Sequence, residues 1–201
     1  GNALTAIISQ LKEENHIICT NTSEIPNELN NKLLAYFKTH ISAFLRPKKL
    51  DKNTELFLNN QAIYLAVQRE GNEVYIINIP TDHLPRFSIY EIGNKTYYIF
   101  LDDVIRLHLN LIFPGEDVKG AYSIKLNQDA ELQIDDEYSG NLAKKIEKQI
   151  QIRNLGTPAR FLFDIDMPDE VLSTLADKLE LSSDDIVTGG RYHNLNDFFQ
   201  I

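Results

Sequence analysis

Cys19 is the only cysteine in this chain, so no internal disulfide can form and no thiolate-based zinc site can be built. A lone thiol suits a reducing compartment. Long apolar runs are equally scarce. No stretch approaches the roughly 18–20 residues that a membrane-crossing helix needs, and the N-terminus carries no secretory pattern. A cytoplasmic setting is expected, with any membrane association coming through a larger assembly. Positive charge is in deficit: 20 Lys and Arg stand against 29 Asp and Glu, a formal net charge of −9. That excludes a general nucleic-acid binder, whose footprint is basic, while leaving room for a local basic patch. Internal repeats and low-complexity linkers are missing as well.

What is present describes an ordinary globular chain. Hydrophobic residues make up 43% and charged residues 24% of 201 positions, a size that usually forms one domain, or one domain with an appendage. Folding at this length buries roughly 70% of the unfolded surface, enough for a core without staples. The sequence opens at Gly1 with no initiator methionine, and the expectation is a piece of a longer protein.

Periodicity places the elements. Residues 3–14 predict a short helix and His16–Cys19 a brief strand. Residues 25–45 predict a stronger helix: at about 100° per residue Leu29, Leu33, Phe37, Ile41 and Phe44 share a face, with Leu34 and Leu45 at its edge. Two β-hairpins come next. Runs 62–68 and 74–79 flank Gly71-Asn72, and runs 87–90 and 96–100 flank Gly93-Asn94, pairs that tolerate tight turns. Asp102-Asp103 open a helix that Pro114-Gly115 stops. A strand over 120–126, an acidic turn at Asp135-Asp136-Glu137, a helix over 139–152, a strand over 159–165, a helix from Pro168 and a short terminal helix over 194–201 complete the reading. The class is α+β: a mixed or antiparallel sheet holding both hairpins, covered by helices 25–45 and 103–112.

Chemistry is thin along this chain. Neither a GxxxxGKS/T loop nor a GxGxxG turn is present; Thr188-Gly189-Gly190-Arg191 comes nearest, and its glycines read as a turn. The five histidines show no metal-ligand spacing. Asp164 and Asp166 would share one side of a strand end, as a hard-cation pair does, but acids leading into a helix are expected there without any ion. Asp135-Asp136-Glu137 reads as a solvated turn. His108 falls near the centre of an apolar helical stripe, and His40 lies to one side of another. Either is a candidate acceptor or base, and the plainer reading is a core histidine bonded to backbone. The basic residues Arg46, Lys48 and Lys49 cluster just after a helix end, where cations are expected anyway. With Arg86 they are the candidates for contact with a polyanion.

The stretch from about Leu45 to Ile201 resembles the middle, or head, domain of polyphosphate kinases. The residues that carry the resemblance are Leu84-Pro85-Arg86-Phe87, Leu101-Asp102-Asp103-Val104-Ile105 and Leu111-Ile112-Phe113-Pro114-Gly115. Gly120-Ala121-Tyr122, 127–132, Asp166-Met167-Pro168 and 195–198 continue in the family's order. No single piece is specific; their order and spacing are. Residues 1–44 resemble the helical lead-in and 45–201 the middle domain proper. The resemblance implies a parent enzyme that reversibly moves the terminal phosphate of ATP onto polyphosphate through a phosphohistidine, with magnesium. It implies that the catalytic histidine, the metal ligands and most ATP and polyphosphate contacts lie in other domains, so that no catalytic, cofactor or metal residue falls in this chain. A homo-oligomer, no nucleic-acid partner and a fold similar to phosphohistidine phosphatases are implied too. The role expected of this part is dimerisation and shaping of the active-site entrance. Two rivals stand beside it: a stand-alone phosphohistidine-directed hydrolase, and a regulatory module that binds polyphosphate or nucleotide.

Overall fold

Two mixed sheets organise the chain in a computed structural model that describes residues 2–60, 62–128 and 159–193. The smaller sheet has three strands, in the order β1 (His16–Cys19), β6 (Lys95–Phe100), β5 (Phe87–Ile92). Strand β1 runs parallel to β6, and β5 antiparallel to it. The larger sheet has six strands: β2 (Lys48–Lys49), β4 (Val74–Asn78), β3 (Ile63–Arg69), β7 (Val118–Gln128), β8 (Ala159–Asp164) and β9 (Ile186–Gly189). Only β8 and β9 pair in parallel there.

The α+β class with mixed sheets matches the sequence reading, but the two hairpins do not share a sheet. Pro80 and Pro85 punctuate the link between them. Proline has no N–H to continue a ladder, so the second hairpin leaves the first and pairs with β1 instead. Both turns fall where expected: Gly71 and Asn72 take φ of 69° and 60°, and Gly93 takes 62°, left-handed values that few other residues accept. The glycine turn expected over 188–191 is shorter than its composition suggests. Thr188 and Gly189 belong to β9 and pair with Phe163 and Asp164, so the turn begins only at Gly190.

Strand β3 is buried on both faces. Ile63, Leu65 and Val67 join one apolar cluster, Tyr64 and Ala66 another. The first cluster is filled by Leu29, Leu33, Phe37 and Ile41 and by Val104 and Ile105, and it reaches Cys19 and Ile99 of the smaller sheet. The second is closed by Val171 and Leu175 of helix α5 (Asp169–Leu179), packed against Ile124 and Phe161. Helix α1 (Asn2–Glu13) covers the far face of the smaller sheet, with Ile8 and Leu11 against Ile18, Phe87, Tyr98 and Phe100. Helical layers therefore separate and flank the sheets. The lead-in contributes a strand as well as helices, and its apolar side chains enter the common core.

The helical stretch over 27–44 is not uniform. An α-helical part, α2 (Asn30–Tyr36), passes into a π turn over Phe37–Ile41 and a 3-10 turn over Ser42–Phe44. The hydroxyls of Thr39 and Ser42 donate to the carbonyls of Ala35 and Lys38 at 2.7 and 3.1 Å, bonds that loosen a helix locally. The extra residue in the π turn rotates the last turn of the helix about its axis. Phe44, expected on the buried face, is 42% exposed and stacks on His83, while Leu45 takes the buried place. The later helix also divides, into α3 (Leu101–Leu107) and α4 (Leu109–Ile112), at His108. Its Nδ1 lies 2.7 Å from the Val104 carbonyl, the acceptor its own N–H would take in an unbroken helix, and that N–H turns to Ile105. The helix expected over 139–152, the turn at Asp135-Asp136-Glu137 and the terminal helix lie outside the described residues.

Candidate functional site

The chain passes from β6 into α3 without a linker, which carries Asp102 and Asp103 into the first helical turn, beneath the end of β9. Acids are favoured there by the backbone N–H groups of a helix start, but both carboxylates are fully buried, and burial demands more compensation than a helix end supplies. Three cation-bearing segments supply it. Arg106, one turn along α3, places Nη1 3.0 Å from Asp103 Oδ1, and Arg191 places Nη2 3.1 Å from the same oxygen. The Tyr192 hydroxyl donates to Asp103 Oδ2 at 2.5 Å. Arg86 Nη2 donates to Asp102 Oδ2 at 2.9 Å and to the His193 carbonyl at 3.3 Å. Arg106 Nη2 reaches the Ser123 hydroxyl at 2.6 Å, tying in β7.

Aromatic rings pack against this knot. Tyr192 stacks on Phe100 with ring centroids 3.8 Å apart, and Arg86 lies over the other partner of that stack, 5.5 Å from the Phe100 centroid. Burial, and then the negative Asp103 beside it, push the Tyr192 hydroxyl far above its ordinary titration range, so it stays a donor. Burial pushes the His193 imidazole down, against a ring hydrogen bond to the Ser123 backbone and the pull of Asp102. The ring is therefore neutral near neutrality. Burial likewise pushes the Cys19 thiol up to about 12, helped by Glu24 and Asp103. It is inert as a nucleophile.

The other expected residues are scattered. Arg46, Lys48 and Lys49 do stand together and exposed, along the β2 edge of the larger sheet. Lys48 donates to the Glu55 carbonyl at 2.6 Å, and Lys49 pairs with Glu73. Arg86 does not join them. Its side chain is 4% exposed and is held by Asp102, because the buried carboxylate needs a counter-charge. His108 is buried, bonded to backbone and stacked on Phe37 at 4.8 Å. His40, expected in the core, is exposed on the outer side of the π turn, beside Thr39 and Tyr36. Asp164 and Asp166 do not make a pair: Asp164 is buried and accepts the Asp166 N–H at 3.1 Å, while the turn carries the Asp166 side chain to the surface. Among the described residues no group of three His, Cys, Asp or Glu side chains is arranged to hold a metal ion, and no helix is long and apolar enough to cross a membrane.

Of the charged members of this knot, Arg86, Asp102-Asp103 and Arg191 stand out in the sequence, each with a separate local role. Their convergence joins residues 16 to 107 positions apart, and no local pattern encodes that. Arg86, Asp102 and Asp103 also belong to the segments on which the family resemblance rests. The family model for the polyphosphate kinase middle domain matches residues 28–201. The chain belongs to the polyphosphate kinase middle-domain family. It is 33% identical over 195 residues to the polyphosphate kinase of Vibrio vulnificus and 34% identical over 196 residues to that of Yersinia pestis, matches that cover 91% and 92% of this chain. A crystal structure of the Porphyromonas gingivalis polyphosphate kinase superposes with a TM-score of 0.77 at 29% identity, covering 97% of this chain. In every case this middle domain spans 28% of the relative's length.

Proposed function

We propose that this domain frames phosphoryl transfer in its parent kinase without performing it. The parent makes inorganic polyphosphate from ATP through a phosphohistidine, with magnesium. The middle domain joins subunits into a homodimer and shapes the entrance to an active site built by other domains. The match to the middle-domain model carries this reading, since the chain corresponds to one segment of a much longer transferase.

The geometry of the knot supports it. Phosphoryl transfer depends on cations and metal ions aimed at the phosphates. Arg86, Arg106 and Arg191 are aimed inward, onto Asp102 and Asp103, and their work is to hold α3, β7 and the segment after β9 in register. His108, bonded to backbone and stacked on Phe37, is fixed as a packing residue. A fold similar to phosphohistidine phosphatases, which the sequence resemblance implies, would add nothing on activity, because a fold does not carry one.

The decisive assay incubates purified chain 1–201 with ATP, magnesium and a polyphosphate primer and follows ADP. No turnover is expected. Turnover that survives further purification and disappears on substituting a residue of this chain overturns the reading. Sedimentation velocity tests the second half: the parent is expected to sediment as a dimer through an interface that includes this domain, while the isolated chain, carrying −9 and tested without the other domains, is expected to associate weakly, since a stable contact needs roughly 1,000 Å².

A further inference from the structure

Among the described residues, β5 forms the longest sheet edge. The others are short: β1 and β9 have four residues each, and β2 has two, both lysines, with Pro47 ahead of them. Short strands, lysines and prolines are the devices that keep an edge from pairing. Strand β5 has six residues, Phe87–Ile92, keeps one register with β6 throughout, and carries neither proline nor lysine. Ile89, near its middle, is 56% exposed, and Glu91 is its only charge.

The ladder fixes which backbone groups are left over. The Leu101 N–H donates to the Arg86 carbonyl at 2.8 Å, and bonded pairs recur at every second residue of an antiparallel ladder. With Phe87 opposite Phe100 and Ile92 opposite Lys95, it is Ser88, Tyr90 and Ile92 that bond to β6. Thr96, opposite Glu91, agrees: its N–H turns the other way, to the Asn15 carbonyl at 2.8 Å. The N–H and C=O of Ile89 and Glu91 therefore point to the open side, where no strand meets them among the described residues. Tyr90 and Ile92 pack into the common core, so the edge is held in place before anything docks on it.

We propose that β5 pairs antiparallel with β5 of a second copy, about a two-fold axis at Ile89, joining the two three-stranded sheets into one. An edge strand is its own complement under such an axis, and the contact closes on itself as an isologous interface does. The two Ile89 residues then exchange both backbone hydrogen bonds, and their exposed side chains lie side by side on one face. Charge selects the axis. A two-fold at Tyr90 would bring the two Glu91 side chains to a diagonal separation of about 7–8 Å. At Ile89 they stand four positions apart, about 14 Å, beyond the roughly 8 Å over which salt leaves charges unscreened. The contact rests on the homodimer proposed for the parent kinase and names its surface.

The test uses the intact kinase, with residues numbered as in this chain. Under mild oxidation Ile89→Cys is expected to link two copies by a disulfide, because the Cα atoms of a bonded antiparallel pair lie about 5.5 Å apart, within the span a disulfide bridges. Glu91→Cys is expected not to link them. Ile89→Pro removes an outward N–H, which an edge strand tolerates. It is expected to weaken dimerisation in sedimentation velocity by about tenfold, the equivalent of two net backbone hydrogen bonds. Ile89→Lys, the guard that natural edges carry, is expected to weaken it too while leaving the backbone alone. Linkage through residue 91 in place of 89 overturns the proposal by its register. A dimeric kinase that neither links at 89 nor responds to proline or lysine there overturns the β5 contact and leaves the homodimer standing. A monomeric wild type overturns both.

Discussion

The Tyr192 hydroxyl stands 2.5 Å from Oδ2 of the fully buried Asp103, while Arg106 and Arg191 share the other oxygen. One carboxylate thus receives donors from α3 and from the segment after β9, and each removes part of a desolvation penalty that none could offset alone. Tyr192→Phe keeps the ring on Phe100 and deletes only the donor. A hydrogen bond to a charged group contributes about 1.5–3 kcal/mol, and that loss is expected in the urea unfolding free energy. Asp103→Asn is expected to cost more, because it leaves two guanidinium groups facing a neutral amide. Equal costs for the two variants would show that Tyr192, not the carboxylate, organises the cluster.

Gly189 admits the His193 ring by having no side chain. A Cβ placed there would lie 2.8 Å from His193 Cε1 and 3.2 Å from the Phe163 carbonyl oxygen. The carbonyl belongs to the β8 ladder and cannot retreat, so the imidazole has to move. Gly189→Ala is expected to destabilise by about 1–3 kcal/mol, the usual range for overpacking, and to draw His193 away from Ser123. Denaturation midpoints and the position of the ring in a variant structure check both parts.

How much of this was legible depended on the range of the interaction. The buried faces of 29–41, both hairpin turns and α5 follow local periods of 3.6 and 2 residues, and sequence shows such periods directly. Phe44 escaped because one π turn shifts the period by a single residue, and the hydroxyls that favour it, Thr39 and Ser42, look like ordinary polar positions. Asp102 and Asp103 escaped for a different reason. Their charge fits a helix start so well that nothing local called for burial. Apart from Arg106, one turn along α3, their partners come from elsewhere: Arg86 from before β5, Arg191 and Tyr192 from beyond β9. Gly120-Ala121-Tyr122 was readable as a motif but not as a cause. The structure supplies one: the Tyr122 hydroxyl lies over Gly120, 2.2 Å from where a Cβ would sit.

Polyphosphate offers a direct test of the basic edge. Arg46, Lys48 and Lys49 are exposed on β2 and the turn before it, but Lys49 already pairs with Glu73 and the chain as a whole carries −9. Attraction to a polyanion is therefore expected to be weak. It should vanish as salt shortens the screening length below about 8 Å. Titrating the chain at several ionic strengths measures this. Arg46→Glu with Lys48→Glu is expected to abolish the low-salt signal. Arg86→Lys is expected to leave it intact, because that side chain faces Asp102 instead of solvent. The opposite pattern would move the contact from the sheet edge to the knot.

Acid should loosen the knot through His193. Burial holds its imidazole below the ordinary value of 6.5, and Lys125 on β7 and Arg86 before β5 push the same way, against Asp102 on α3 and the Ser123 backbone. The unfolded chain has none of these neighbours and protonates near 6.5. Between that value and the lower folded one, the unfolded state binds more protons, so unfolding becomes easier as pH falls. Stability is expected to be flat, as far as His193 is concerned, above about pH 7. Below pH 6.5 it should decline with a limiting slope of about 1.4 kcal/mol per pH unit for one proton, and level off once the folded state protonates too. His193→Gln cannot titrate, so this segment of the profile should disappear in the variant while the carboxylate-driven losses at lower pH remain. Urea midpoints measured from pH 5 to 8 on both proteins decide it; parallel profiles would mean that the imidazole is not held neutral by its surroundings.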